Sequence, residues 1–132
     1  MPTATPFAPS TLTELAGRLE QRRCASARLA AALRDDAARA IEDLDVSDLL
    51  DNDNPDGGNN GVARASALAL ARLAARTAGA ADEALVRLAA GTYGACDGCG
   101  QRIPLARLRA MPETRLCVAC KTSHDRSLAL AG

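Results

Sequence analysis

Four of the chain's five cysteines stand in two C-x2-C pairs, and this spacing constrains the fold more than any other feature. Cys96 and Cys99 form the first pair, seventeen residues follow, and Cys117 and Cys120 form the second. This pattern is typical of a tetrahedral four-thiolate zinc site. A redox dithiol is the competing interpretation, but no βαβ pattern surrounds either pair. We therefore predict one zinc ion with a structural role, because four thiolates leave no open position for catalysis.

Outside the cysteine pairs, the composition favours long helices over a thick globular core. Of 132 residues, 30 are Ala, and only 28 are the bulkier Leu, Val, Ile, Met, Phe or Tyr. Alanine buries little surface, and burial stabilises by only about 25 cal/mol per Å². One Phe, one Tyr and no Trp exclude the aromatic platforms of single-strand nucleic-acid binders. So few aromatic and β-branched residues also disfavour an all-β fold.

Two apolar seams of helical period predict a pair of long helices. The first helix should begin near Thr11, where Thr11 and Glu14 match a capping box, and run to about Leu50. The second should begin after Val62 and stop at Gly91. The seam positions are Leu12, Leu15, Leu19, Ser26, Leu29, Leu33, Ala37, Ile41 and Leu44 in the first helix and Leu70, Leu73, Thr77, Ala81, Leu85 and Leu88 in the second.

Neither helix can bury its seam alone, so the fold class that we predict is mainly α, an antiparallel coiled-coil hairpin followed by a small zinc module. Helix rise gives the hairpin a length of about 50 Å. Turn-forming residues fill 51–61, which should be a loop at its tip. The predicted regions are a flexible N-terminus (1–10), the hairpin (11–91), and a zinc finger with a short C-terminal helix (92–132).

Charge is balanced overall but uneven along the chain. Sixteen basic residues match sixteen acidic ones, whereas residues 35–56 hold nine acids against Arg39 alone. A calcium-loop pattern fails there, because its twelfth position, which needs Glu, is Ala63. Two interpretations of the tip carboxylates remain. They belong to a solvated turn, or they are presented to Mg²⁺ or to a basic cavity of a partner.

The N-terminal residues and the length of the apolar runs indicate where the protein is located. Residues 1–9 carry three prolines and no basic cluster, unlike a secretory signal, and no apolar run reaches the roughly 18 residues that span a bilayer. We therefore expect a cytoplasmic protein that does not contact membranes, in which clustered cysteines favour metal over disulfides.

Cys24 should pack as a small apolar residue of the first helix. His124 should stand beside a zinc site that four thiolates already fill.

The segment from Gly91 to Cys120, GTYGACDGCGQRIPLARLRAMPETRLCVAC, closely resembles the zinc finger of the DksA/TraR family. The resemblance implies a bacterial regulator that binds RNA polymerase rather than DNA. Family members similar to DksA insert their hairpin into the secondary channel of the polymerase, toward the catalytic Mg²⁺. The family's tip pattern, D-x-x-D-x-A, is matched by Asp53 and Asp56, with Gly58 in place of the final Ala. Asp51 is a further candidate if the tip aligns differently.

Two consequences follow from the departures from this family pattern. The glycines at 57, 58 and 61 predict that the second helix does not begin at Asp56, which leaves the tip mobile. Family members can also respond to guanosine tetraphosphate, and Lys121 fits a contact with that nucleotide or with the polymerase. Ala80 and Met111 stand where the family has other basic residues, so we do not predict nucleotide dependence.

Two other functions compete with polymerase regulation. A nucleic-acid-binding zinc finger would place cations on phosphates, and a zinc-containing coiled-coil adaptor would bind another protein through the hairpin. The cations available to the first alternative are Arg102, Arg107, Arg109, Arg115 and Lys121. No catalytic residues are predicted, because no nucleophile–base pair stands out and the glycines at 57–61 lack the Lys of a phosphate-binding loop.

Overall fold

The computed structural model describes residues 7–42 and 55–131, with side chains described over 7–39 and 61–130. Four helices are present in these ranges: α1 (Pro9–Glu42), α2 (Pro55–Ala90), α3 (Leu105–Ala110) and α4 (Val118–Ala131). The β-structure in these ranges is an isolated antiparallel bridge between Ala95 and Arg102. The predicted fold class, a helical hairpin followed by a four-cysteine module and a short C-terminal helix, is confirmed.

Helix α1 begins two residues earlier than predicted. Its first residue is Pro9, and the Leu12 N–H donates to the carbonyl of the residue before Pro9 at 3.0 Å. Proline suits this position because its φ is already helical and its missing N–H would have no partner there. The predicted capping box is therefore wrong, since Thr11 lies inside the first turn. Glu14 pairs instead with Arg109, Oε1 to Nε at 3.1 Å.

Helix α2 also begins before its predicted start. The helix runs from Pro55, so residues 55–61 are helical and the predicted loop over 51–61 is wrong for that part. The same proline preference accounts for the start. Each glycine in a helix costs only about 1 kcal/mol, which a helix of 36 residues can absorb. Residues 51–54 and the predicted end of the first helix at Leu50 lie outside the described residues.

The predicted end of the second helix at Gly91 is confirmed. Helix α2 ends at Ala90, and Gly91 follows with a φ of +79°. The N–H groups of Gly91 and Thr92 donate to the carbonyls of Leu88 and Arg87 at 3.3 and 2.9 Å. Glycine fits this place because a left-handed backbone carries no Cβ penalty there. The chain thereby leaves the helix directly before the cysteine module.

The chain divides into two compact units that cut across the predicted boundary after residue 91. One, which we call the zinc unit, comprises Met1–Arg23 and Gly79–Gly132; the other, the hairpin unit, comprises Cys24–Ala78. The first turns of α1 and the last turns of α2 thus belong with the cysteine module. Over the described ranges, no helix combines the length and the apolar character that crossing a bilayer requires.

The zinc unit has a continuous apolar core built from all of its parts. Leu15 and Leu19 of α1, Tyr93, and Leu108 of α3 are at most 1% exposed. The Tyr93 hydroxyl donates to the Pro112 carbonyl at 2.9 Å. Burial raises the pKa of Tyr93 to about 12, so this donor stays protonated at neutral pH. The fully buried set is completed by Ala81, Ala84, Cys96 and Ile103.

The hairpin unit buries alanines where the sequence predicted leucines. Leu29, Leu70 and Leu73 are 54%, 53% and 55% exposed, so their assignment to the seams is wrong. The buried positions include Ala37, which was predicted on the seam, and Ala30, Ala71 and Ala74, which were not. Small side chains let helix backbones approach closely, since the distance between helix axes depends on the residues at the contact. Alanine occurs on every face of these helices, and periodicity alone could not identify the buried face.

This difference between the two units predicts unequal costs for the same substitution. Leu19→Ala removes a fully buried side chain from the zinc unit and should lower the free energy of unfolding by about 2–5 kcal/mol. The matched control, Leu70→Ala, removes a side chain that is 53% exposed and should cost less than about 1 kcal/mol. Urea unfolding of the zinc-loaded chain, followed by circular dichroism, measures both; equal costs would contradict the described core.

Candidate metal centre

The first cysteine pair lies in a tight backbone turn. The N–H of Cys96 donates to the Gln101 carbonyl at 2.8 Å, and the N–H of Gly100 donates back to the Cys96 carbonyl at 2.9 Å. Gly100 has a φ of +73°, a conformation that favours glycine. The bridge between Ala95 and Arg102 closes the turn. These bonds fix Cys96 and Cys99 on one short loop.

The second pair is positioned by the start of α4. Cys117 immediately precedes this helix and Cys120 lies in its first turn. The N–H of residue 121 donates to the Cys117 carbonyl at 2.9 Å, as expected for the first bond of a helix. A spacing of three residues at a helix start places both side chains on one face. The two pairs are joined where the Asp97 N–H donates to the Arg115 carbonyl at 2.9 Å.

The four sulfurs converge on one point. The Sγ atoms of Cys96, Cys99, Cys117 and Cys120 all lie within 4.8 Å of one another, and Cys99 Sγ is 3.9 Å from Cys117 Sγ. Zinc bonded to four thiolates at about 2.3 Å in a tetrahedron separates neighbouring sulfurs by about 3.8 Å. The donor set and its spacing therefore fit zinc, and the predicted structural zinc ion is confirmed as the cofactor of this module.

The thiols of this cluster oppose one another's ionisation. Burial alone raises the pKa of Cys96, but hydrogen bonds from the N–H groups of Cys117, Cys99 and Gly98 outweigh it and lower that pKa to about 6. The neighbouring thiols, Cys117 first, raise the pKa of Cys120 to about 12. A second thiolate beside the first is unfavourable without a cation. Zinc binding supplies that positive charge and releases the remaining protons.

The other predicted site residues stand apart from this cluster. Lys121 is exposed at the start of α4, with its Nζ 3.2 Å from the Asp125 carboxylate. Asp56 lies in the first turn of α2, whereas Asp51 and Asp53 lie outside the described residues. The roles of these four candidates in partner binding remain predictions.

Two single residues can also be placed. Cys24 is exposed on α1, so its prediction as a packed apolar residue is wrong. His124 is exposed on α4, 4.0 Å from the Asp125 carboxylate, and the metal-ligand cluster comprises the four cysteines without it. The prediction that His124 is not a ligand stays a prediction.

The five cations considered for phosphate binding all have partners within the chain. Arg107 donates to the Leu116 carbonyl at 2.9 Å, and Arg102 lies over the Phe7 ring, 4.5 Å from its centroid. The remaining three form ion pairs, Arg109 with Glu14, Arg115 with Glu83 and Asp97, and Lys121 with Asp125. Four of these side chains contact another segment of the zinc unit, and the fifth, Lys121, pairs within α4.

Sequence analysis missed the residues that join the cysteine module to the long helices. Glu113, only 9% exposed, pairs with Arg22 of α1 at 3.0 Å, and Arg115 pairs with Glu83 of α2 at 2.8 Å. The partners lie far apart in sequence, and neither periodicity nor motif spacing links them. Opposite charge is the one sequence feature that could indicate these pairs. Many exposed residues are charged, so this feature does not identify which residues pair.

Comparisons with known proteins agree with this geometry. The family model described as the prokaryotic dksA/traR C4-type zinc finger matches residues 91–126. A solved structure of the transcription factor DksA2 from Pseudomonas aeruginosa matches with a TM-score of 0.73 and 23% identity, covering 92% of this chain and 88% of that chain. No match is found among curated proteins. The structural likeness concerns the fold, and the family model concerns the module around the cysteines.

The cluster predicts that zinc content depends on its four cysteines and not on the fifth. Cys99→Ser should lose most of its zinc, because a serine hydroxyl is a poor replacement for a thiolate ligand. Cys24→Ser, which changes an exposed cysteine outside the cluster, should retain one zinc ion per chain. Metal analysis of the purified variants tests this expectation, which full zinc content in Cys99→Ser would refute.

A second prediction concerns the space beside Cys120. A Cβ at Gly98 would lie 2.9 Å from the Cys120 Sγ, so Gly98→Ala must displace that ligand. Zinc affinity should fall about ten-fold, as for other changes that disturb the surroundings of a metal ligand. Gly79→Ala is the control, because nothing lies within 4 Å of its added Cβ. Competition with a chromophoric chelator measures both affinities, and an unchanged affinity for Gly98→Ala would contradict the described cluster.

Proposed function

We propose that the chain is a DksA/TraR-type regulator of transcription that binds bacterial RNA polymerase, because it carries the C4 zinc finger of that family on a DksA-like fold. The observation that carries the proposal is the match of residues 91–126 to the family's zinc finger. It is supported by the fold that 92% of the chain shares with a transcription factor. The protein acts by binding, as a regulator and not as an enzyme, in the cytoplasm.

The hairpin enters the secondary channel of the polymerase in this proposal. Residues 35–56 carry nine acids against one base, and the tip candidates Asp51, Asp53 and Asp56 end this block. Carboxylates suit a hard cation such as Mg²⁺ or a basic cavity, and they do not suit phosphate backbones. Helix α2 begins at Pro55, so Asp56 lies on helical backbone and not in the loop that its neighbouring glycines predicted. The tip therefore delivers the regulatory effect.

Phosphate binding by the zinc finger has less support. Its five candidate cations are engaged within the chain, three of them in ion pairs with carboxylates. Binding a nucleic acid through them would compete with these contacts. Direct DNA binding is therefore not part of the proposal.

A small nucleotide is not required in this proposal. Lys121 is exposed and could face the polymerase or guanosine tetraphosphate. Met111 is 40% exposed and uncharged at a position where the family has a basic residue, and Ala80 is the second such position. One cation alone is a weak site for a highly charged nucleotide. We therefore expect regulation in its absence.

The tip hypothesis predicts that binding and regulation can be separated. Asp53→Asn with Asp56→Asn removes two charges with little change of shape, so folding and polymerase binding should persist while the effect on promoter-complex lifetime or transcript output weakens. The matched control is Asp35→Asn with Asp36→Asn, which removes the same charge from exposed positions on α1. Transcription with purified polymerase measures both. If the tip variant regulates as well as the parent, the tip hypothesis is wrong and the adaptor alternative gains.

A further inference from the structure

The segment that leads into the second cysteine pair is tied to both long helices. We call residues 109–115 the clasp; it runs from the end of α3 to two residues before Cys117. Every contact described below lies within the zinc unit. The clasp thus stands between one half of the metal site and the base of the helices.

Two ion pairs join the clasp to α1. Arg109 Nε lies 3.1 Å from Glu14 Oε1, and Arg22 Nη2 lies 3.0 Å from Glu113 Oε1. Arg18 adds a hydrogen bond from Nη1 to the Arg109 carbonyl at 3.3 Å. These contacts span two turns of α1, so they fix the clasp in position and in direction along that helix.

A further cation joins the clasp to α2 and to the first cysteine pair at once. Arg115 Nη2 lies 2.8 Å from Glu83 Oε2, and its Nη1 lies 3.7 Å from Asp97 Oδ2. Asp97 directly follows Cys96, and its N–H donates to the Arg115 carbonyl at 2.9 Å. The same residue thereby contacts α2 and the backbone that carries the zinc ligands.

Of the ion pairs of the clasp, the Glu113–Arg22 pair depends most on the position of the clasp relative to α1. Its side chain is 9% exposed, and its Oε2 is buried with no hydrogen-bond partner among the described residues. A buried carboxylate is costly unless it is paired, so Glu113 is stable here only while Arg22 reaches it. The neighbouring Pro112 carbonyl accepts the Tyr93 hydroxyl at 2.9 Å, which holds this part of the clasp against the core.

We infer that Glu113 and Arg115 are positioning residues of the zinc site, which act through the clasp and couple zinc occupancy to the packing of α1 and α2. The inference rests on the zinc site and is independent of the proposed polymerase partner. Coupling between two equilibria is reciprocal. Zinc therefore stabilises the helical base through these ion pairs, and the ion pairs raise the affinity for zinc by the same factor.

The test compares two variants that each break one ion pair of α1. Glu113→Gln disrupts the clasp, whereas Asp82→Asn disrupts the Arg23–Asp82 pair, which joins α1 and α2 at 3.3 Å without contacting the clasp. Glu113→Gln should weaken zinc affinity about ten-fold in chelator competition, the size expected for a partner that orients a metal ligand. Asp82→Asn should bind zinc as the parent does.

Melting with and without zinc separates coupling from an ordinary structural role. Followed by circular dichroism, Glu113→Gln should lower the melting temperature of the zinc-loaded chain and leave the zinc-stripped chain unchanged, while Asp82→Asn should affect both forms equally. An unchanged zinc affinity, or equal melting losses with and without zinc for Glu113→Gln, would overturn the inference. If Glu113→Gln fails to fold, Glu83→Gln, whose side chain is 61% exposed, decides the question with a smaller loss of zinc affinity, about two- to five-fold.

Discussion

The coordination of one zinc ion by four thiolates is the interaction on which the rest of the zinc unit depends. Four sulfurs within 4.8 Å of one another oppose one another's ionisation, so all four become thiolates together only when a cation offsets their charge. The elements that carry them are short: a tight turn, a helix of six residues, and the start of α4. Besides the metal, the buried side chains of Tyr93, Ile103 and Leu108 and the ion pairs of the clasp hold these pieces on the long helices.

The two units of this alanine-rich chain are stabilised by different interactions. The zinc unit concentrates the bulky side chains, including Leu15, Leu19 and Tyr93, and adds metal and ion pairs. The hairpin unit buries alanines and leaves leucines such as Leu70 exposed, so its stability rests on close approach of helices with little apolar area.

The parts of this structure that local rules govern could be predicted from the sequence. The spacing of Cys96 to Cys120 predicted the metal site, and Gly91 predicted the end of α2, because both depend on a few neighbouring residues. The predicted helix starts were wrong because proline's preference for the first helical position outweighs the capping pattern at Thr11 and the turn-forming residues after Pro55. The clasp and the buried alanine face could not be predicted, since they depend on packing between distant segments.

Direct binding to RNA polymerase tests the account most directly. Purified, zinc-loaded chain should bind purified bacterial core polymerase saturably and with one-to-one stoichiometry. Chain stripped of zinc should bind much more weakly, because its four-cysteine module is no longer held in place. The same chain should show no comparable affinity for duplex DNA at physiological salt. Absence of saturable binding to the polymerase by the folded, zinc-loaded chain would contradict the account.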